Sequence, residues 1–349
     1  MKKVAPIVRL SAHDEVPCGR LVRGDKPPAL RILFCNEKIF YCGNMLTVHL
    51  VGAQKTNYPW GFENHLISAL EEMRCKVIST DFRQERQNLQ RLLQQKADLV
   101  LVCKGEFIQP ELIKSISCPT ALWYCEQIGN DTAVDYTALL RRKELEYNAT
   151  AFDYVFSHDK TNLQVYKNIG CSNVYWLPCA AVNTKIHKKL EVSKKYDVTF
   201  IGNQTPRRKN ILVALEKYFK VFTPNIWDSK ELNEVFNESK IILNIHLSDL
   251  LNIETRIGEV LGSGSFLLTE ELPCKDLFID GEHLVQWRQG DVEDLIKKIH
   301  YYLIHEDERE GIAGKGHHFA IEHHSFEERM RQLLATIDFN INKPSAEQL

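Results

Sequence analysis

The sequence predicts an α/β protein made of two Rossmann-like domains in tandem with a helical tail, and three observations carry that prediction. Short apolar runs alternate with amphipathic helical patterns along most of the chain, the signature of parallel strands joined by crossover helices. The alternation lapses once, at the polar, lysine-rich "CAAVNTKIHKKLEVSKKY" (179–196), and then restarts. At 349 residues the chain exceeds one typical core and has room for two.

Residues 1–28 lack clear periodicity and are expected to form an arm. The first domain (29–185) opens with the strand-like "LRILFCN" (30–36), followed by the amphipathic "WGFENHLISALEEMRC", with Phe62, Leu66, Ala69, Leu70 and Met73 on one face. Then come "KVIST" as a strand, "RQNLQRLLQQK" as a helix, "ADLVLVC" as a strand and "QPELIKSI" as a helix. "PTALWYC", a helix around 133–146, "FDYVFS", the helix "KTNLQVYKNIG" and the strand "VYWLP" complete it. The second domain (186–325) alternates "YDVTFIG", the helix "RRKNILVALEKYF", "KVFT", the helix "SKELNEVFNESK" and "IILNIHL". A helix near 253–261, the strands "SFLLT" and "HLVQW" and a run of helices from about 291 to 336 follow. Residues 326–349 are expected to be a C-terminal helix and tail.

Composition narrows the function classes. The chain is 44% hydrophobic and 26% charged with a formal net charge of −2, so no basic footprint for nucleic acid or anionic lipid is present. No stretch approaches the ~20 apolar residues of a membrane-spanning helix, and the N-terminus has no signal-peptide core. Ten cysteines without a Cys-x-x-Cys pair read as buried apolar thiols of a cytoplasmic protein.

In open parallel sheets, ligands bind beyond the carboxyl ends of the strands. Those ends read "CNEK", "CKGEF", "CEQIGND" and "SHDK" in the first half, and "GNQTPRR", "IHLSD" and "TEELP" in the second. The most informative is "VTFIGNQTPRRKN". A strand, a glycine, a polar loop and then Arg207, Arg208 and Lys209 opening a helix make a good anion site, because helix N-termini and arginine both favour phosphate. No dinucleotide fingerprint or P-loop is present. In "NIETRIGEVLGSG", Ile253, Ile257, Val260 and Leu261 face the sheet, and Gly262 stands where a left-handed helix end belongs. Arg256 and Glu259 are helical neighbours on another face, which by itself reads as a surface ion pair.

Together, "YDVTFIGN…PRRKNIL", "SKIILNIH", "RIGEVLGSGSFLLTEE", "LFIDGEHLVQW" and "YYLIHEDEREGIAGKGHHFAIEHHSFEER" resemble the CgeB-type spore-maturation glycosyltransferases. That group is related to the retaining, family-4-like enzymes of GT-B fold. The likeness is close over 196–330 and looser in the first half. It implies two Rossmann-like domains facing a cleft, an N-terminal acceptor domain and a C-terminal domain that holds a nucleotide-sugar. The resemblance places Gly202, Asn203 and Arg208, with Arg207 as a substitute, near the donor diphosphate. It places Asn244 and His246 at the strand end beneath the nucleotide, and Glu259, with Arg256, at the ribose. The chain departs from the Glu-x7-Glu pattern at its first position, where Leu251 stands, so the sugar contact stays unassigned. Trp60, Gly61 and Glu63 border the cleft in such enzymes and are candidates for acceptor contact. Glu63 equally suits the first turn of a helix. Glu126 is the best first-domain carboxylate for acid–base or electrostatic work.

The expected function is sugar transfer from a nucleoside diphosphate donor to an unidentified acceptor, without metal or other cofactor and without nucleic acid as partner. A sugar-nucleotide epimerase or a non-catalytic nucleotide-sugar-binding protein on the same fold are the alternatives. The pairs His317, His318 and His323, His324 lack a matched carboxylate or cysteine set for a metal, and the resemblance gives His324 and Arg329 a packing role.

Overall fold

The computed structural model describes residues 40–41, 44–58, 61–105, 108–129 and 134–337. The expected arm, the strand-like run at 30–36, Trp60 and the end of the tail lie outside those residues. After a short antiparallel pair, β1 (Phe40–Tyr41) with β2 (Asn44–Met45), the chain builds a six-stranded parallel sheet. Its strands are β3 (Thr47–Gly52), β4 (Lys76–Asp81), β5 (Leu99–Cys103), β6 (Thr120–Tyr124), β7 (Tyr154–Ser157) and β8 (Val174–Trp176), in the order β4-β3-β5-β6-β7-β8. Helices α1 (Phe62–Glu72), α2 (Leu89–Leu93), α3 (Pro110–Lys114), α4 (Tyr136–Asn148) and α5 (Leu163–Ile169) make the crossovers.

The sequence reading passes over β3, which lies between β4 and β5. A histidine interrupts its apolar run. His49 is nevertheless fully buried: its Nε2 lies 2.8 Å from the Thr80 hydroxyl on the neighbouring strand, which offsets part of the cost of burying the ring, while Nδ1 is buried without a partner.

Side chains alternate between two cores, as expected of a sheet covered on both faces. Leu99, Leu101 and Cys103 of β5 enter one core, and Val100 and Val102 the other.

The second sheet is five-stranded and parallel, in the order β10-β9-β11-β12-β13. Its strands are β9 (Tyr196–Phe200), β10 (Val221–Phe222), β11 (Ser239–Asn244), β12 (Leu267–Glu270) and β13 (Val285–Trp287). Around it lie α6 (Pro206–Leu215), α7 (Ser229–Asn237), α8 (Thr255–Gly262), α9 (Val292–Ile304) and α10 (Glu306–His323). The chain ends its described course in α11 (Phe326–Thr336).

Two further features differ from the sequence reading. Helix α11 is no separate tail: Phe326, Met330, Leu333 and Leu334 join the core of the first sheet with Leu66, Ala69 and Leu70 of α1. The chain therefore crosses between the sheets twice, and the crossings are laced together. Val182 donates to the carbonyl of His324 (2.8 Å) and accepts from Phe326 (3.0 Å). The stretch read as a polar linker thus begins as core, with Cys179, Ala180, Ala181 and Val182 buried.

The second difference is at the end of α8. Gly262 is still helical, and the left-handed residue is Gly264 (φ 71°). Gly262 is required by close approach instead: a Cβ there would sit 2.5 Å from Val182 Cγ1. No helix among the described residues is long and apolar enough to cross a membrane.

Candidate functional site

The carboxyl ends of the two sheets line a shared cleft. One cavity of about 250 Å³ is walled by Gly61, Glu63, Lys104 and Glu126 from the first domain and by Asn252 and Glu254 from the second. A second, of about 390 Å³, lies between Glu126, Arg141, Arg208 and Glu254. Glu126 and Glu254 belong to both cavities and stand on opposite walls.

The second-domain wall starts at β9. Gly202 (φ 155°) leaves room for the Arg208 guanidinium, whose Nη1 would lie 3.3 Å from a Cβ at that position. Thr205 caps α6 with its side chain and Pro206 follows at the first helical position, so the turn delivers both arginines at fixed angles. The sequence reading expects an external anion for these cations, and the structure shows that the chain supplies anions of its own. Arg207 makes a bidentate pair with the fully buried Glu270, and its Nε lies 2.6 Å from Asp249. It is thus bound into the sheet end.

Arg208 is turned the other way. Its Nε donates to the Ile245 carbonyl (2.8 Å), its Nη1 to the Asn203 carbonyl (3.1 Å), and its Nη2 lies 3.4 Å from Glu254. Lys209 is exposed.

His246, fully buried at the end of β11, donates from Nε2 to the Glu271 carbonyl (2.8 Å) and turns Nδ1 toward Glu254 at 3.8 Å. Burial lowers its pKa, and Glu254 beside it more than reverses that, leaving it raised. Burial pushes the Glu254 carboxyl up, while His246, Arg208 and the Asn244 amide pull it below the ordinary value. Asn244 also donates to the Thr269 hydroxyl (3.1 Å). Gly202, Asn203, Arg208, Asn244 and His246 are therefore brought together, with Glu254 at their centre. The spacing argument points to positions 251 and 259 and leaves Glu254 aside; only the irregular loop 247–254 brings it in.

On the first-domain wall, Glu126 is held by Lys104 Nζ (2.5 Å) and Arg141 Nη2 (2.6 Å). Burial raises the Glu126 carboxyl, and those two cations outweigh it, so the pKa is lowered. Such a group is a poor proton acceptor and a good fixed negative charge. Lys104 and Arg141 escape the sequence reading, although Lys104 stands in the strand end "CKGEF". Glu63 is buried in the first turn of α1, and its Oε1 accepts from the Ala53 N–H (3.2 Å). It serves the helix and lines the cleft at once. Gly61 is the N-cap residue of α1.

Several bonds tie the walls, among them the Cys179 thiol to the Ile253 carbonyl (3.1 Å) and two from the strand ends of the first sheet. Gln127 Nε2 donates to the Leu251 carbonyl, and His158 Nε2 lies 2.9 Å from Asn252 Oδ1.

Arg256 and Glu259 are set apart from this constellation. They pair at 2.7 Å, Arg256 lies over the Phe236 ring at 5.2 Å, and neither lines the two cavities. Glu259 acts on His65 of α1 and His187 of the crossing segment. The histidine pairs are dispersed: His317 Nδ1 faces the Leu261 carbonyl, His318 Nδ1 the Gly314 carbonyl, and His324 contacts Arg329. Among the described residues no three His, Cys, Asp or Glu side chains gather as a metal-ligand group.

Residues 185–335 match a family model described as glycosyl transferase-like. No curated protein matches the chain. Among solved structures, Anabaena HepE in complex with UDP and glucose aligns with a TM-score of 0.58 at 12% identity, covering 84% of this chain and 99% of that one. Sucrose-phosphate synthase from Thermosynechococcus elongatus gives 0.57 at 10%, with coverage of 84% and 99%. The S. aureus MnaA–UDP complex gives 0.55 at 13%, with coverage of 86% and 99%. At such identities the likeness speaks for the fold. Residues 185–335 thus carry a glycosyl transferase-like sequence, and the chain as a whole has the two-domain architecture of GT-B proteins.

Proposed function

We propose that this protein is a glycosyltransferase that moves a sugar from a uridine diphosphate sugar to an acceptor hydroxyl, and that it is of the CgeB type. The observation that carries the reading is the placing of Arg208 and the start of α8, with the buried His246 beside Glu254, on one wall of a cleft whose other wall presents Glu126 with Lys104 and Arg141. The uridine is taken from the neighbours, whose structures hold UDP.

In this reading Arg208 grips the diphosphate, and the α8 N-terminus and His246 add positive potential where the leaving group gains charge. Glu126 stays ionised, accepts a substrate hydroxyl hydrogen bond, and keeps the two cations aimed into the cleft. The bonds from Gln127 and His158 hold the walls together and limit the water that could hydrolyse the donor. Transfer is metal-independent and retains configuration in this proposal, so chelator leaves turnover unchanged and the product keeps the donor's anomeric form.

The test is a panel of UDP-, GDP-, ADP- and TDP-sugars with titration of the free diphosphates. Arg208→Gln is expected to weaken UDP binding by about 10- to 100-fold, the worth of a hydrogen bond between charged groups. Unchanged affinity would remove Arg208 from the site. Isomerised sugar without acceptor would identify an epimerase, and saturable binding without turnover a binding protein.

A further inference from the structure

We propose that Glu254 is a resident counter-ion, which the donor's diphosphate must displace from Arg208 and His246 on binding. The inference rests on the reading of Arg208 as the diphosphate ligand.

Arg208 and His246 are fixed by groups other than Glu254. Arg208 is held by the carbonyls of Ile245 and Asn203, and His246 by the Glu271 carbonyl and by its own N–H, which donates to Glu270 (2.8 Å). Glu254 is held less well. Its oxygens lie 3.4 Å from Arg208 Nη2 and 3.8 Å from His246 Nδ1, against roughly 2.7–2.9 Å for a good charge-assisted bond, and its other polar neighbour is the neutral Asn244 amide. Glu254 Oε2 and His246 Nδ1 are both buried, and neither has a hydrogen-bond partner. The charges hold one another by proximity more than by bonding.

Geometry also leaves the carboxylate free to move. Glu254 is the residue before the first turn of α8, yet its side chain makes no capping bond, so a rotation would not uncap the helix. The carboxylate reaches both cavities, which gives it somewhere to go. A diphosphate brought to Arg208 meets a negative charge already in place, and two anions close together in a partly buried site repel. The carboxylate therefore lowers affinity for the nucleotide in exchange for neutralising Arg208 and His246.

The signature is a pair of opposite effects that general damage to the site would not give. Glu254→Gln is nearly isosteric. It is expected to bind UDP and inorganic pyrophosphate about 10-fold more tightly by calorimetry, the scale of a modest coupling between sites. Its thermal midpoint without nucleotide falls, because the Arg208 guanidinium loses its counter-charge and His246 its carboxylate neighbour. Arg208→Gln in the same background removes the gain. UDP affinity that is unchanged or weaker in Glu254→Gln overturns the proposal. So does unchanged UDP affinity with weaker UDP-sugar affinity, which would make Glu254 a sugar ligand. If Arg208→Gln alone leaves UDP binding intact, the site reading itself fails, and that result is scored separately. UDP binding to neither protein removes both.

Discussion

The two walls of the cleft each present one carboxylate among cations, and they hold it differently. Glu126 lies 2.5 and 2.6 Å from Lys104 and Arg141, whereas Glu254 lies 3.4 and 3.8 Å from Arg208 and His246. The first is locked and the second is loose. A binding site needs both kinds of charge: a fixed one to orient what reacts, and a yielding one where a ligand must take over existing contacts.

Breaking the locked side of the second domain gives the largest effect. Arg207→Met strands the Glu270 carboxylate with only the His246 and Gly290 N–H groups as partners. It is expected to lower stability by about 3–5 kcal/mol in denaturant titration, as for other broken buried pairs. A loss below about 1 kcal/mol would return Arg207 to the list of ligand-binding residues. The neighbouring Arg208 is predicted to matter for ligand instead, so the two adjacent arginines separate stability from affinity.

Glu126→Ala comes next. Transfer is expected to fall about 100-fold while UDP affinity changes less than about two-fold, the pattern of a group that acts on the reacting end. Equal losses in both would place Glu126 at the nucleotide.

Acid sharpens the comparison through histidine. Burial pushes His49 and His187 down to about 4 and His324 to about 3, so the unfolded chain takes up protons first as pH drops below about 6.5. Stability is therefore lost between about pH 6.5 and 4. His246 opposes this: its raised pKa adds stability below about 6.5 that is lost as pH rises through the folded value. The net expectation is a thermal midpoint that falls from pH 7 to 4.5, with His246→Gln steepening the fall. A flat profile would contradict the burial of the three.

The smallest effect is expected at the bridge. Asn252→Ala removes one hydrogen bond between the walls, worth about 1 kcal/mol, and should raise donor hydrolysis relative to transfer. No change in that ratio would mean that this contact does not govern closure.

Much of the fold is legible in the sequence because each strand and helix announces itself by its own period. The strands "ADLVLVC", "FDYVFS" and "YDVTFIG" and the helix beginning at Pro206 need only local information. β3 is missed because a buried histidine breaks its apolar run, and the Thr80 partner that makes His49 acceptable is on another strand. The site is harder to read for the same reason. Arg208 is recognisable, since cations at a helix start are unfavourable without an anion. Glu254, Lys104 and Arg141 come from three loops or helices distant in sequence, and no spacing rule links them. Conversely, a spacing rule does pick out Arg256 and Glu259, and the structure pairs them with each other, outside the linings of the two cavities.

The laced double crossing at Val182 and Ser325 bears on any attempt to recombine this protein with others. A chimera cut between the two sheets near residue 185 would give the first sheet without α11, exposing the face that Phe326, Met330 and Leu333 cover. An exchangeable first-sheet module must therefore be discontinuous, carrying residues 326–336 along with the sheet, so that a swap of this domain is a swap of two separated segments of the gene.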